Sequence, residues 1–200
     1  MIKLVLQSIL QTILWTVVTG LLYPLAITIF AQFAFPGQAN GSLVMRDGKL
    51  VGSALIAQQF QGDKYFWPRP SAGGYATVPS GASNYGPTSA KLQQAVDASL
   101  AALRKAHNLP ADAPVPADLV FASASGVDPH ISPEAAQFQI TRVANARSMS
   151  ADQVAALVHK FTEPPQWGFL GEPRVNVLLL NLALDQVDGG KRGNATDKKS

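Results

Sequence analysis

From Leu4 to Met45 the chain carries no charged residue, and its first thirty-two positions, LVLQSILQTILWTVVTGLLYPLAITIFAQFAF, are dominated by Leu, Ile, Val, Phe and Ala. A helix of that length rises about 48 Å against a hydrocarbon core of about 30 Å, so it spans a bilayer with length to spare. In lipid every backbone polar group needs an internal partner, so a lone apolar segment of this kind must be helical. A cleaved signal peptide would carry an apolar stretch of about 7 to 15 residues between a basic start and a small-x-small site. Here the run is twice that long, only Lys3 precedes it, and the best small-x-small site, Ala39-Asn40-Gly41, lies past its end. Residues 1–35 are therefore read as an uncleaved anchor.

Within the anchor, Ser8, Thr12, Thr16, Thr19 and Gly20 recur at spacings of three or four and form one stripe of small and hydroxyl-bearing residues. Such a stripe lets another helix approach closely. Pro24 removes one backbone hydrogen bond and predicts a kink near Gly20. The positive-inside count is balanced, with the α-amino group and Lys3 on one side and Arg46 and Lys49 on the other. A short N-terminal flank leading into an anchor favours a cytoplasmic N-terminus and a translocated domain.

Beyond the anchor the pattern changes to that of a mixed α+β domain over residues 36–187. Two short β-prone runs flank Arg46-Asp47-Gly48-Lys49, a strong hairpin signal. Residues 61–87 are rich in Gly, Pro, Ser and aromatics without a period of 2 or 3.6, which predicts a long ordered loop, and loops of that length are usually functional. Leu92, Val96, Leu100 and Leu103 mark a helix over 89–106, ended by Asn108 and Pro110. Ser132-Pro133 opens a second helix with an apolar stripe of Ala136, Ile140, Val143 and Ala144, running to about Arg147. Ser150 to Gln153 is a capping box, followed by Val154, Leu157, Val158 and Phe161. Val175 to Val187 reads as a buried strand turning into a helix capped by Asn176, and Val115 to Ala124 as a further strand. Residues 188–200 read as a disordered polar tail.

Charge narrows the function classes. Charged residues make up 14% of the chain, against roughly 25% for a soluble domain, while hydrophobic ones reach 47%. The net charge of +3 comes from the two ends, because 11 basic and 11 acidic residues lie between Phe35 and Val187. A neutral body lacks the clustered cations that release counterions from nucleic acid, so no nucleic-acid partner is expected. The absence of cysteine removes thiol nucleophiles, thiolate metal sites and disulfides.

Reactive constellations are weak. Ser123 or Ser125 with His130 and Asp128 could imitate a hydrolase triad, but no G-x-S-x-G elbow is present and Asp128-Pro129-His130 reads more simply as a turn before a helix. His107, His130 and His159 do not share ligand spacing, so no metal is expected. Gly73, Gly74, Gly81 and Gly86 lack the Lys that a phosphate-binding loop requires. The expectation is no catalytic residue and no covalently bound cofactor.

Several ordered strings carry a resemblance. Ala39-Asn40-Gly41-Ser42, Gly52-Ser53-Ala54-Leu55-Ile56, Tyr65-Phe66-Trp67-Pro68-Arg69-Pro70-Ser71-Ala72, Ser80-Gly81-Ala82-Ser83-Asn84, Ala122 through Ser132, Arg142-Val143-Ala144 and Val175 through Asp185 together resemble the C subunit of the Kdp potassium-transporting ATPase. A common family form has Gly-Arg-Pro-Ser-Ala and Ser-Gly-Gly-Ser-Asn where this chain has Pro68-Arg69 and Ala82. The resemblance implies a non-catalytic accessory subunit of an ATP-driven potassium importer of the inner membrane, with its domain periplasmic. The implied partners are a channel-like potassium-binding subunit, a P-type ATPase subunit and a small membrane subunit. It further implies a catalytic chaperone that raises the pump subunit's affinity for ATP, with Gln139 matching a glutamine assigned to nucleotide contact. That assignment conflicts with a translocated domain, because ATP is cytoplasmic, and a structural or partner role for Gln139 is the favoured reading. Tyr65, Phe66, Trp67, Arg69 and Tyr85 are the expected partner contacts, with core filling beneath the loop as the rival role. A stand-alone membrane-tethered periplasmic enzyme or sensor is the alternative.

Overall fold

The computed structural model describes residues 1–196, with side chains described through Val187. The chain divides into two compact units, Met1–Ser53 and Ala54–Ser200. The polar tail expected over 188–200 falls beyond the side chains described.

The first unit begins with 33 continuous helical residues, Ile2–Ala34, long and apolar enough to cross a membrane and with no side chain of that apolar window buried. It is built as α1 (Ile2–Val17), a single π turn (Val18–Leu22) and α2 (Tyr23–Ala34). The π turn contains Gly20 and closes with the Tyr23 N–H bonded to the Val18 carbonyl. Pro24, which has no N–H to offer, is thus absorbed by a local change of helical pitch without ending the helix. A one-turn helix, α3 (Pro36–Ala39), leads to the hairpin of β1 (Leu43–Arg46) and β2 (Lys49–Ser53). The predicted Asp47-Gly48 turn sits at its tip, both residues at positive φ (50° and 73°), the conformation that selects Asp-Gly. Ser53 Oγ donates to the Gly41 carbonyl at 2.7 Å, fastening the hairpin to the chain that enters it.

In the second unit α4 (Ala90–His107) ends at Asn108, which takes the left-handed conformation at φ 52°. The strand expected over Val115 to Ala124 is instead the single turn α5 (Ala117–Val120). Pro116 cannot donate to a sheet ladder and suits a helix start, and the short turn is enough to bury Leu119 and Val120. Strand β3 (His130–Ile131) leads into α6 (Pro133–Arg147), then α7 (Ala151–Lys160), β4 (Thr162–Glu163), β5 (Arg174–Asn176) and α8 (Val177–Thr196). The three strands form one antiparallel sheet in the order β3-β5-β4.

The cap chemistry read from the sequence is in place. Ser132 Oγ accepts from the Ala135 N–H at 3.1 Å, the Ser150–Gln153 capping box closes in both directions, and Asn176 Oδ1 accepts from the Leu179 N–H at 3.1 Å. The core gathers Phe66, Leu103, Ile131, Val143, Val154, Val175, Leu180 and Leu184 from the loop, the helices and the central strand. One glycine is fixed by contact: a Cβ on Gly126, at φ 72°, would lie 2.8 Å from the Gly81 carbonyl oxygen. Ser71 Oγ donates to the Gly126 carbonyl at 2.6 Å, so the loop of residues 61–87 crosses this turn at backbone distance.

Candidate functional site

Among the described residues six buried polar side chains lie in the second unit, and four of them, Gln139, Arg142, Arg147 and Asn181, face one segment of the long loop. That segment, Asp63 to Ser71, has no strand partner, so its backbone groups must be satisfied by side chains or water. Two carboxamides do this work. Gln139 Oε1 accepts from the Trp67 N–H at 2.8 Å while Nε2 donates to the Trp67 carbonyl at 3.2 Å. Asn181 Oδ1 accepts from the Phe66 N–H at 2.8 Å while Nδ2 donates to the Phe66 carbonyl at 2.9 Å. An amide side chain carries the same donor and acceptor pair as a peptide group, so each replaces one rung of a β-ladder.

The two arginines complete the cradle. Arg142 Nη1 donates to the Asp63 carbonyl at 2.8 Å, Nη2 to Gln139 Oε1 at 2.7 Å and Nε to His107 Nε2 at 3.2 Å. Its guanidinium stacks 4.2 Å from the Trp67 ring centre. Arg147 Nε donates to the Lys64 carbonyl and Nη2 to Asp185 Oδ1 at 2.8 Å, and its guanidinium lies 5.1 Å from the centre of the Tyr65 ring. At the far end Arg69 Nη1 pairs with Asp128 Oδ2 at 3.2 Å, and the Tyr75 hydroxyl donates to the Arg69 carbonyl at 2.9 Å.

Charge states follow from these contacts. Burial lowers the Arg142 guanidinium to about 10, with the nearby Asp63 opposing, so it stays protonated at neutral pH. Burial, helped by the Arg142 charge and opposed by Asp63, lowers His107 to about 4. The imidazole is therefore neutral at neutral pH, as its role as acceptor from Arg142 requires. The hydrogen bond from His130, with the Arg69 charge, holds the Asp128 carboxyl below the usual range despite its burial.

The expected contact residues separate. Phe66 is fully buried and belongs to the core, with its own peptide held by Asn181 of α8 and that of Trp67 by Gln139 of α6, while the Trp67 ring packs half-buried against the same core. Tyr65, Trp67 and Arg69 are half-buried. Tyr85 is exposed and lines a separate cavity of about 720 Å³ with Pro70, Gly81, Val96, Ser99 and Phe121, and no charged residue lines that cavity. Gln139 is fully buried, and both its oxygen and its nitrogen are taken up inside the chain. A nucleotide contact by Gln139 requires this clamp to open.

The residues considered for catalysis sit in turns. Ser125 Oγ accepts from the Val127 N–H at 3.2 Å and Asp128 Oδ1 from the His130 N–H at 3.0 Å. Ser123 is buried, with its N–H on the Pro70 carbonyl. Among the described residues no group of three or more His, Asp or Glu side chains is placed to share a metal ion.

Reading the sequence for partner contacts missed the roles of Arg142, Arg147 and Asn181. The signal was there: Asn181 interrupts an otherwise apolar run, VLLLNLAL, and Gln139, Arg142 and Arg147 intrude on the buried face of α6. A polar group in such a position must find a partner.

The family profile described as K+-transporting ATPase, c chain (KdpC), matches residues 5–186. The chain belongs to the KdpC family. The chain is similar to the potassium-transporting ATPase KdpC subunit of Burkholderia vietnamiensis, 56% identical over 178 residues, which are 88% of this chain and 92% of the relative. The corresponding KdpC subunit of Dechloromonas aromatica is 54% identical over 178 residues (88% and 93%). That of Methylococcus capsulatus is 52% identical over 184 residues (90% and 96%). The KdpC match takes in both the apolar helix and every member of the clamp.

Proposed function

We propose that this chain is the non-catalytic, single-pass accessory subunit of an ATP-driven potassium import complex of the inner membrane. In this reading the N-terminus is cytoplasmic, the α+β domain is periplasmic, and the partners are a channel-like potassium-binding subunit, a P-type ATPase subunit and a small membrane subunit. Family membership over residues 5–186, helix included, is the observation that carries it.

The chain stabilises the assembly and raises the pump subunit's affinity for ATP. The route is a coupling free energy through the partner subunits and not a direct contact. The Gln139 amide, spent on Trp67, Ala135 and Arg142, supports that route, and the periplasmic orientation proposed above agrees with it. Tyr65, Trp67 and Arg69 supply partner contacts on a segment whose backbone is already fixed, which lowers the entropy cost of docking, and Tyr85 adds a contact from the exposed end of the loop.

Two measurements test the proposal. Pull-down of the tagged chain from detergent should bring the other subunits with it, and removing the chain should raise the KM for ATP of the remaining complex. An unchanged KM would remove the chaperone role, and a solitary chain would remove the subunit role. Protease treatment of spheroplasts should cleave the domain; protection would reverse the orientation.

A further inference from the structure

The connection between β4 and β5 is an exposed aromatic finger. Residues 164–171, PPQWGFLG, contain no charge. Trp167 is 77% exposed, Phe169 74% and Leu170 45%. The finger has a defined shape despite that exposure. Gln166 and Leu170 exchange both backbone hydrogen bonds at 2.9 Å, and the Gly168 N–H donates to the Pro165 carbonyl at 3.0 Å. Trp167 and Gly168 take the left-handed conformations (φ 55° and 84°) that turn the tip. The base is held by the pairs Thr162 with Val175 and Glu163 with Arg174, the latter joined by a 2.9 Å ion pair, and Val175 is fully buried.

A bulky residue held at positive φ with its ring in water carries both a conformational and a solvation cost; the turn's backbone hydrogen bonds offset the first, and the exposure of the ring leaves the second standing. We propose that this finger, Trp167, Phe169 and Leu170, is a docking element that inserts into an apolar pocket with a basic rim on another subunit of the same ATPase. This rests on the subunit reading given above.

Area and charge select that occupant. Two aromatic rings about three-quarters exposed offer on the order of 300 Å². A second copy meeting finger to finger would bury about 600 Å² in total, half of what a stable dimer requires. The finger therefore suits a hot-spot anchor inside a larger heteromeric contact. At its rim stand Glu163, Glu172 and Arg174, with Arg174 tied to Glu163, leaving one negative charge. Lipid-inserting segments pair exposed aromatics with Lys or Arg for the headgroups, and this rim has the opposite sign.

The test uses the whole complex. Trp167→Asn with Phe169→Ser removes the rings, and Asn tolerates the left-handed backbone at 167. The expected result is an unchanged melting temperature of the purified chain with a loss of roughly tenfold or more in intact complex recovered. In parallel, a benzophenone amino acid at position 169 should cross-link this chain to another subunit in intact membranes. Recovery of the double variant at the wild-type level would overturn the finger, as would adducts only with lipid, with a second copy, or with nothing. If the double variant fails to fold, the cross-link alone decides. A wild-type chain that brings down no partner would instead defeat the subunit reading itself.

Discussion

Polar side chains in the apolar helix and in the domain meet the same demand at opposite ranges. In the helix, Ser8, Thr19 and Thr28 donate to the carbonyls of Leu4, Trp15 and Pro24, each four residues back. In the domain, Gln139 and Asn181 hold backbone 72 and 115 residues away. The helix satisfies its backbone internally, so its hydroxyls need only the preceding turn, and such a segment can exist without a tertiary core. The domain contains an aromatic ribbon without a ladder, so it draws donors and acceptors from distant helices and cannot hold that ribbon without them. The lesson is that local polar patterns stabilise elements, whereas buried carboxamides and guanidiniums specify how elements meet.

The largest effect should come from breaking the long-range side of this contrast. Gln139→Leu strands the Trp67 N–H and carbonyl and one Arg142 N–H in the interior; at about 1–3 kcal/mol per group the domain should lose about 3–9 kcal/mol, read by chemical denaturation. Thr19→Val, which removes a local hydroxyl from the helix, should leave the same denaturation curve in place. Next comes a matched pair of apolar truncations. Leu184→Ala, at a fully buried site, should destabilise by about 2–5 kcal/mol. Leu14→Ala, on a helix with no buried residue, should change domain stability by less than about 0.5 kcal/mol. Equal effects at the two leucines would erase the distinction between the regions.

A smaller loss, about 1 kcal/mol, is expected for Ser132→Ala, which removes the cap of the helix that carries the clamp. A further effect is pH-dependent. His107 is lowered to about 4 in the fold, mainly by burial and then by Arg142, whereas the unfolded chain protonates near 6.5. Between those values the unfolded state holds more protons, so the stability contributed by the neutral imidazole is complete above about 6.5 and declines as pH falls toward 4. His107→Gln should flatten that slope in denaturation midpoints measured across the window.

Legibility in the sequence follows the same division. The long apolar helix, the Asp47-Gly48 hairpin, the Ser132 and Ser150 caps and the Asn176 cap were readable because each depends on residues within one or two turns. Pro24 predicted a local disturbance, although its form as a π turn depends on how the helix redistributes its bonds. Phe66 could not be assigned to the core from the loop composition, because its burial depends on Asn181 gripping its peptide from across the domain. Val115 to Ala124 misread for a related reason: Leu119 and Val120 are buried, but Pro116 turns them into a helical turn. The half-buried state of Arg69 depends on Asp128, a partner that only the fold identifies.

Amide hydrogen exchange at Phe66 and Trp67 in the full-length chain, with and without nucleotide, tests the clamp most directly. Both amides should exchange only through global unfolding, orders of magnitude more slowly than those near Val78 in the same loop, and adding nucleotide to the isolated chain should leave them unchanged. Rapid exchange at Trp67, or a change there when nucleotide alone is added, would contradict the assignment of Gln139 to holding the ribbon.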